Sequence, residues 1–374
     1  MKTIGLLASM LLFFVANVAA QGVKIEKEIN QSFRVGKDAK VDIVNKYGEV
    51  IVHTWYKDSV RIKVNVMARG NNQEAVDRDM GRVDVSLRQI GSIISGTTKF
   101  DQGKSRGLLG DILTQIEDYS KSIVGGTTFS INYELWMPAE ANLSIENKYG
   151  DIYLETLTGN VSIDLSNGDL RGNRIENRLF IRHSFGKMRF DYIREGNLIF
   201  RGVECLLSEG GNLSFESSSS ELMLGKVEYL RINSRNDKYI IEQATNVLGE
   251  GSFTDLRLDH TIASVRLDFA YGEIHLSGIA KDFKSILLSG KSCDFTLLLH
   301  QASYIRAKIT GDEDQMILPT SMLAMHRETP EGETTISLSG FVGNTNAQIS
   351  ELEINASGGD LIISIQETDK FTNR

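Results

Sequence analysis

Proline is nearly absent from this sequence: three residues in 374, alongside two cysteines, two tryptophans and six histidines. With so little proline, backbone N–H groups can donate along uninterrupted ladders, as stacked central strands require. Two cysteines exclude a disulfide-stapled scaffold, and a chain of this length buries enough core to need none. Positive charge is in deficit, since 41 Lys and Arg face 49 Asp and Glu for a net charge of −8. A phosphate-binding surface needs clustered Lys and Arg, so nucleic acid is not an expected partner. The histidines, His53, His183, His260, His275, His300 and His326, form no HxH, HxxxH or HExxH pair. They therefore supply no zinc spacing, and the phosphate-cradling GxxxxGK[ST] is missing too.

Long apolar runs are also absent after the first twenty residues. Those residues carry Lys2, an apolar run from Ile4 to Val15 and a small-residue exit at Val18-Ala19-Ala20, which is the pattern of a secretory signal. Cleavage is expected between Ala20 and Gln21. The run is shorter than the ~20 residues a membrane span needs. No integral membrane segment is expected once it is removed, and the chain is expected to be exported to the periplasm, the cell surface or the medium.

What the sequence does have is an internal repeat. LSIENKYGDIYLETLTGN (143–160) is followed by VSIDLSNGDLRGNRIENR (161–178), and similar units continue to ILLSGKSCDFTLLLHQASY (286–304), with a last one at 349–366. Each carries two short segments in which apolar and polar residues alternate, split by a Gly, Asn or Ser turn. Alternation of period two marks strands with one buried face. A unit this short cannot bury its own apolar face, so units must stack, each supplying its neighbour with backbone partners and core side chains. The expected fold is all-β, a parallel β-helix or β-solenoid with rungs of about 18 residues. An ordinary sandwich would share the turn residues but not the near-constant period. Cys205 and Cys293 lie five units apart, on the order of 24 Å at the spacing of paired strands, so no intrachain disulfide is expected.

The organisation read from the chain is a signal at 1–20, an N-terminal β module at 21–128 and the repeats at 129–374. Within the module, helical insertions are expected at about 71–82, where β-branched residues are few, and at about 107–122, where Leu108, Leu109, Ile112, Leu113 and Ile116 form an apolar stripe. An irregular loop off the stack is expected over about 311–332, which holds Pro319 and Pro330.

The clearest short signature is Asn45-Lys46-Tyr47-Gly48-Glu49-Val50, repeated as Asn147-Lys148-Tyr149-Gly150-Asp151-Ile152. It reads as turn chemistry, with Gly48 and Gly150 supplying positive φ and Asn45 and Asn147 bonding backbone nearby. With the lead-ins Phe33-Arg34-Val35 to Val41-Asp42-Ile43 and Tyr133-Glu134-Leu135-Trp136-Met137-Pro138, this motif resembles the "putative adhesin" domain family with β-strand repeats, found in exported proteins of Bacteroidetes. The resemblance covers most of residues 30–366. It implies a right-handed β-helix-like fold and an adhesive or cell-envelope role, with no catalytic residues to carry over.

Candidate chemistry is sparse. Asp151 and Asp169 occupy equivalent places in adjacent rungs and could in principle act as paired carboxylates, but their position after a turn glycine is that of solvated turn residues. His53 beside Trp55 and Tyr56 reads as strand-edge packing rather than a sugar surface. Asp312, Glu313 and Asp314 lack the spacing of a calcium loop. Ser217 to Ser220 reads as a flexible strand edge or a glycan acceptor. Tyr149, Phe185 and Tyr271 share the place before the turn glycine; rings there would fill a corner of the core, or, if exposed, form a row for stacking on sugars. No catalytic residue, cofactor or metal site is expected. The functional expectation is a non-enzymatic exported platform that binds glycan or an envelope or host protein. A polysaccharide lyase or hydrolase on the same scaffold and a self-assembling envelope protein are the alternatives.

Overall fold

The computed structural model describes residues 22–100, 123–124, 126–329 and 334–366. The expected signal, its cleavage point at Ala20 and Gln21, and the helix expected at about 107–122 lie outside them. The described chain is all-β, and its 22 strands join one mixed sheet.

The N-terminal strands are β1 (Val23–Arg34), β2 (Lys40–Lys46), β3 (Val50–Trp55), β4 (Ser59–Gly70), β5 (Val83–Ile90), β6 (Ile93–Phe100), β7 (Ile123–Val124) and β8 (Thr127–Pro138). Helix α1 (Gln73–Met80) sits between β4 and β5, capped by Asn72, whose Oδ1 accepts the Ala75 N–H at 3.2 Å. It docks through Val76 and through Asp79, which accepts the Thr127 hydroxyl at 2.7 Å.

The repeats follow as β9 (Asn142–Lys148), β10 (Ile152–Leu154), β11 (Val161–Ser166), β12 (Leu170–Ser218), β13 (Glu221–Arg235), β14 (Lys238–Ser252), β15 (Asp255–Leu276) and β16 (Ser285–His300). These pair in parallel at a nearly constant step: Leu143 lies opposite Val161, and Val161 opposite Leu179, 18 residues apart each time. Leu213, Leu230 and Val247 follow at steps of 17 residues. All six side chains are buried, so the alternation of period two places one column of apolar residues inside, rung upon rung. The N-terminal strands join this ladder, with β2 in register beside β9 and β3 beside β10.

A parallel stack was the expectation for residues 129–374, with a separate β module before it; the structure instead joins both in one mixed sheet whose two ends contain antiparallel pairs. At the first end β1 runs antiparallel to β4, β4 to β8, and β5 to β6. For β5 and β6 the physical reason is a short connection, which only antiparallel neighbours allow, whereas β1, β4 and β8 come together from distant parts of the chain. β5 and β6 are joined by Gly91-Ser92 alone, with Gly91 at φ +61°, as a two-residue hairpin turn demands. At the other end β17 (Tyr304–Asp312), β18 (Met316–Ile317), β19 (His326–Glu328) and β20 (Thr335–Gly343) precede β21 (Ile349–Ser357) and β22 (Leu361–Gln366). β21 and β22 complete a rung on β16, while β17 and β18 pair with the opposite edges of β21 and β22, and β20 folds back antiparallel on β17. The segment expected to loop away at about 311–332 thus adds strands to the end of the ladder and a single helical turn, Thr320–Leu323, through which Met322 is buried. Its apolar residues Met316, Leu318 and Met325 pack on the core, which a solvated loop could not do.

Candidate functional site

Each rung turns a corner at one left-handed residue. Among the described residues, nine non-glycine residues, from Tyr47 to Ser292, have φ between 49° and 68°, and they include Tyr149, Asn167, Phe185 and Tyr271. The turn reading is therefore corrected: positive φ belongs to the residue before Gly48 and Gly150, not to the glycines. The glycines are required for another reason. A Cβ on Gly150 would lie 2.0 Å from the Gly48 carbonyl oxygen, and one on Gly168 would lie 2.2 Å from that of Gly150. Backbone rests directly on backbone here. Asn147 ties the same corner together, its Nδ2 donating to the carbonyls of Gly150 at 2.8 Å and Gly48 at 3.0 Å. Asn45 does likewise toward Ile131 at 2.9 Å.

The left-handed backbone turns the corner side chains away from the interior, which corrects the core role expected of the aromatic positions. Phe185 is 60% exposed and Tyr271 45% exposed, and Tyr271 stacks on Phe253 with centroids 4.9 Å apart. Tyr149 is half-buried, stacked on Tyr47 at 5.6 Å, and only Tyr47 is enclosed, by Phe100 and the residues around Phe129.

The paired carboxylates have structural work. Asp151 Oδ1 accepts the Asp169 N–H at 2.8 Å, and Asp169 Oδ1 accepts the Lys187 N–H at 3.0 Å. The same bond recurs from Asp255 to Glu273 and from Asp294 to Asp360. Each acid pins the next rung in register. His53 lies flat on Trp136 and reaches Glu155 through Nδ1 at 3.0 Å. Burial tends to raise the Glu155 carboxyl, but hydrogen bonds from the Thr54 backbone, His53 and the Thr54 hydroxyl outweigh it and hold the group below the usual range. Glu313 takes a forked contact from Arg327, which holds its carboxyl low as well.

A buried polar knot went unseen in the sequence. Asp237 accepts hydroxyls of Ser217 at 2.7 Å and Ser234 at 2.6 Å and the backbone N–H of Ser220 at 2.7 Å. Ser217 also bonds the Tyr239 hydroxyl at 2.6 Å, and Ser234 that of Thr254 at 2.7 Å. Ser217 and Ser220 are thus neither a flexible edge nor accessible acceptors. The signal was present: Ser220, Asp237 and Thr254 fall where neighbouring units carry glycine. His183 is another buried polar group, donating through Nε2 to the Gly168 carbonyl at 2.9 Å; burial lowers its pKa. Cys205 and Cys293 are both free and buried, and burial pushes the Cys293 thiol up to about 12. Among the described residues no group of three or more His, Cys, Asp or Glu could hold a metal ion, and no helix is long and apolar enough to cross a membrane.

A concavity along the repeats was also not anticipated. It is a groove of about 1070 Å³ that runs along the opposite corner of the rungs, from Lys40 and Asn142 to Asn246 and Leu248. Its floor is the outer edge of the column beginning at Leu143, and its rim repeats an amide side chain: Asn142, Asn160, Asn197, Asn212 and Asn246. Asn142 Oδ1 accepts both the backbone and side-chain N–H of Asn160 at 3.0 Å. Phe180 and Tyr229 add rings, and Arg178, paired with Glu195 at 3.2 Å, adds a neutralised charge pair.

No protein family matches the sequence, and no curated protein matches it. Similar solved structures include a "putative adhesin" from Parabacteroides distasonis, 10% identical over 72% of this chain and 96% of that one, with a TM-score of 0.35. A "putative lipid binding protein" from the same organism is 10% identical over 90% and 96%, with a TM-score of 0.28. A "putative cell adhesion protein" from Clostridium sporogenes is 8% identical over 91% and 100%, with a TM-score of 0.21. What the site can do rests on its own geometry.

Proposed function

We infer that the chain is a non-enzymatic, exported binding platform of the cell envelope or its surroundings, with the parallel ladder wound as a β-solenoid and the groove as the face that meets its ligand. The observation that carries this is the groove rim, where amide side chains recur from rung to rung along one concave edge. Rungs spaced about 4.8 Å apart set those groups at regular intervals, which suits an extended polymer better than a compact metabolite. Support for binding over catalysis comes from the acids: Oδ1 of Asp151 and of Asp169 already accepts a backbone N–H, while their Oδ2 atoms meet the Tyr153 hydroxyl and Arg171. A general acid or nucleophile needs a carboxylate free to meet substrate.

The test is to incubate the purified chain with a panel of bacterial, plant and host glycans, scoring retention and newly formed reducing or unsaturated ends together. Retention without new ends is the expected result. New ends would overturn the non-enzymatic reading.

A further inference from the structure

Within the groove one position differs from the rest. Tyr229 lies in register with Asn212 on one side and Asn246 on the other, a single ring between two amides at one-rung spacing. Its side chain is 55% exposed, Asn212 is exposed and Asn246 half-buried. Neither amide is engaged by a hydrogen bond within the described residues. Two residues along the same strand, Arg231 presents its guanidinium to the groove from the same outer face.

We propose that Asn212, Tyr229 and Asn246 form a pyranose-binding subsite for an extended, uncharged glycan. This rests on the platform reading and says where on it the ligand is read. The backbone decides against a peptide strand. β13 is paired with β12 on one edge and β14 on the other, so its N–H and C=O groups are already used in the ladder. A peptide adding as a strand would find no main-chain partner there, and main-chain bonds are what such additions depend on. A ligand must be read by side chains alone. A sugar ring meets that demand, because its C–H face packs on the exposed tyrosine while its hydroxyls take both the N–H₂ and the carbonyl of each flanking amide. Amides are uncharged, and the groove's other charges are largely matched internally: Lys40 with Asp42 at 3.0 Å and Arg178 with Glu195. Arg231 can donate to hydroxyl or ring oxygens without requiring an acidic ligand. Between Asn142 and Asn246 lie six rung steps, about 29 Å at the spacing of paired strands, so an extended glycan would cover several sugars along the rim.

The experiment measures binding of neutral glucan, mannan and xylan oligosaccharides in length series to the full chain, with polygalacturonate as the charged comparison, at low and high salt. Expected is binding of a neutral series that strengthens with length and is insensitive to salt. Tyr229→Ala should weaken it about tenfold or more, the effect of deleting one stacking ring. Asn212→Ala and Asn246→Ala should weaken it severalfold, Tyr229→Phe should retain most of it, and Phe253→Ala, outside the groove, should leave it unchanged. Thermal melts of each variant should stay close to the parent, since these side chains are outside the core. If neutral oligosaccharides bind and Tyr229→Ala binds them equally, the subsite is wrong while the platform reading stands. Binding of polygalacturonate alone, abolished by salt, would overturn the uncharged class. Retention of no glycan at all would remove the subsite, and with it the glycan form of the platform reading.

Discussion

The corner of the ladder is built in two ways in two parts of the molecule. From Gly48 through Gly150, Gly168 and Gly186, backbone rests on backbone, and no side chain fits between rungs. In the middle rungs the equivalent places carry Val203, Ser220, Asp237 and Thr254, all buried, and the polar ones are satisfied by one another. The first solution depends on the absence of a Cβ and tolerates nothing larger. The second depends on every donor finding its acceptor, and a buried carboxylate is tolerable because so many donors converge on it.

Substitutions can separate the two. Gly150→Ala should be the most damaging, since its Cβ meets a carbonyl oxygen and carbon of the rung below, neither able to move without parting the ladder. A loss of roughly 3 kcal/mol or more in urea unfolding is expected. Asp237→Ala should come next, leaving Ser217, Ser234 and the Ser220 N–H without their acceptor, at about 2–3 kcal/mol. Ser220→Gly asks whether one solution can stand in for the other; it forfeits only the bonds of one hydroxyl, including that to the Val203 N–H, and should cost about 1 kcal/mol. If Ser220→Gly proved as harmful as Gly150→Ala, the two corners would not be interchangeable solutions at all.

Acid sharpens the contrast at the boundary between the regions, where His183 bonds the Gly168 carbonyl. Burial lowers this histidine in the folded chain from its ordinary 6.5, so the unfolded chain takes up the proton first. The stability it allows is present above pH 6.5 and is lost as pH falls through the folded value. Urea midpoints should fall from neutral to mildly acidic buffer, and His183→Gln should flatten part of that fall. The smallest effect is expected at Cys205 and Cys293, which should resist a thiol reagent in the folded chain and react once it is denatured, because burial keeps both from the thiolate form.

Much of the ladder was legible because it is written in alternation. Leu143, Val161 and Leu179 recur at the step that their pairing confirms, and the turn residues mark each corner. The ends were not legible, since alternation of period two does not separate parallel from antiparallel neighbours, and β1, β4 and β8 pair antiparallel although they lie far apart in the sequence. The outward rings were misjudged for a physical reason. Tyrosine and phenylalanine rarely adopt positive φ, yet the corner holds them there, before a glycine at Tyr47, Tyr149, Phe185 and Tyr271 and before Thr254 at Phe253. The groove escaped notice because its asparagines are scattered through the sequence and align only through the register.

That register also makes the molecule's length a countable quantity. Glu204, Glu221 and Lys238 stand in one file, 17 residues apart. Excising residues 221–237 would bring Lys238 opposite Glu204, which already pairs with Lys187, and would seat Asn246 opposite Asn212, but it would also remove Asp237, the acceptor of the Ser217 hydroxyl and the Ser220 N–H. Where a corner rests backbone on backbone, whole steps can be added or removed as on a measuring tape, whereas the step that carries Asp237 is tied to its neighbours by the knot it satisfies.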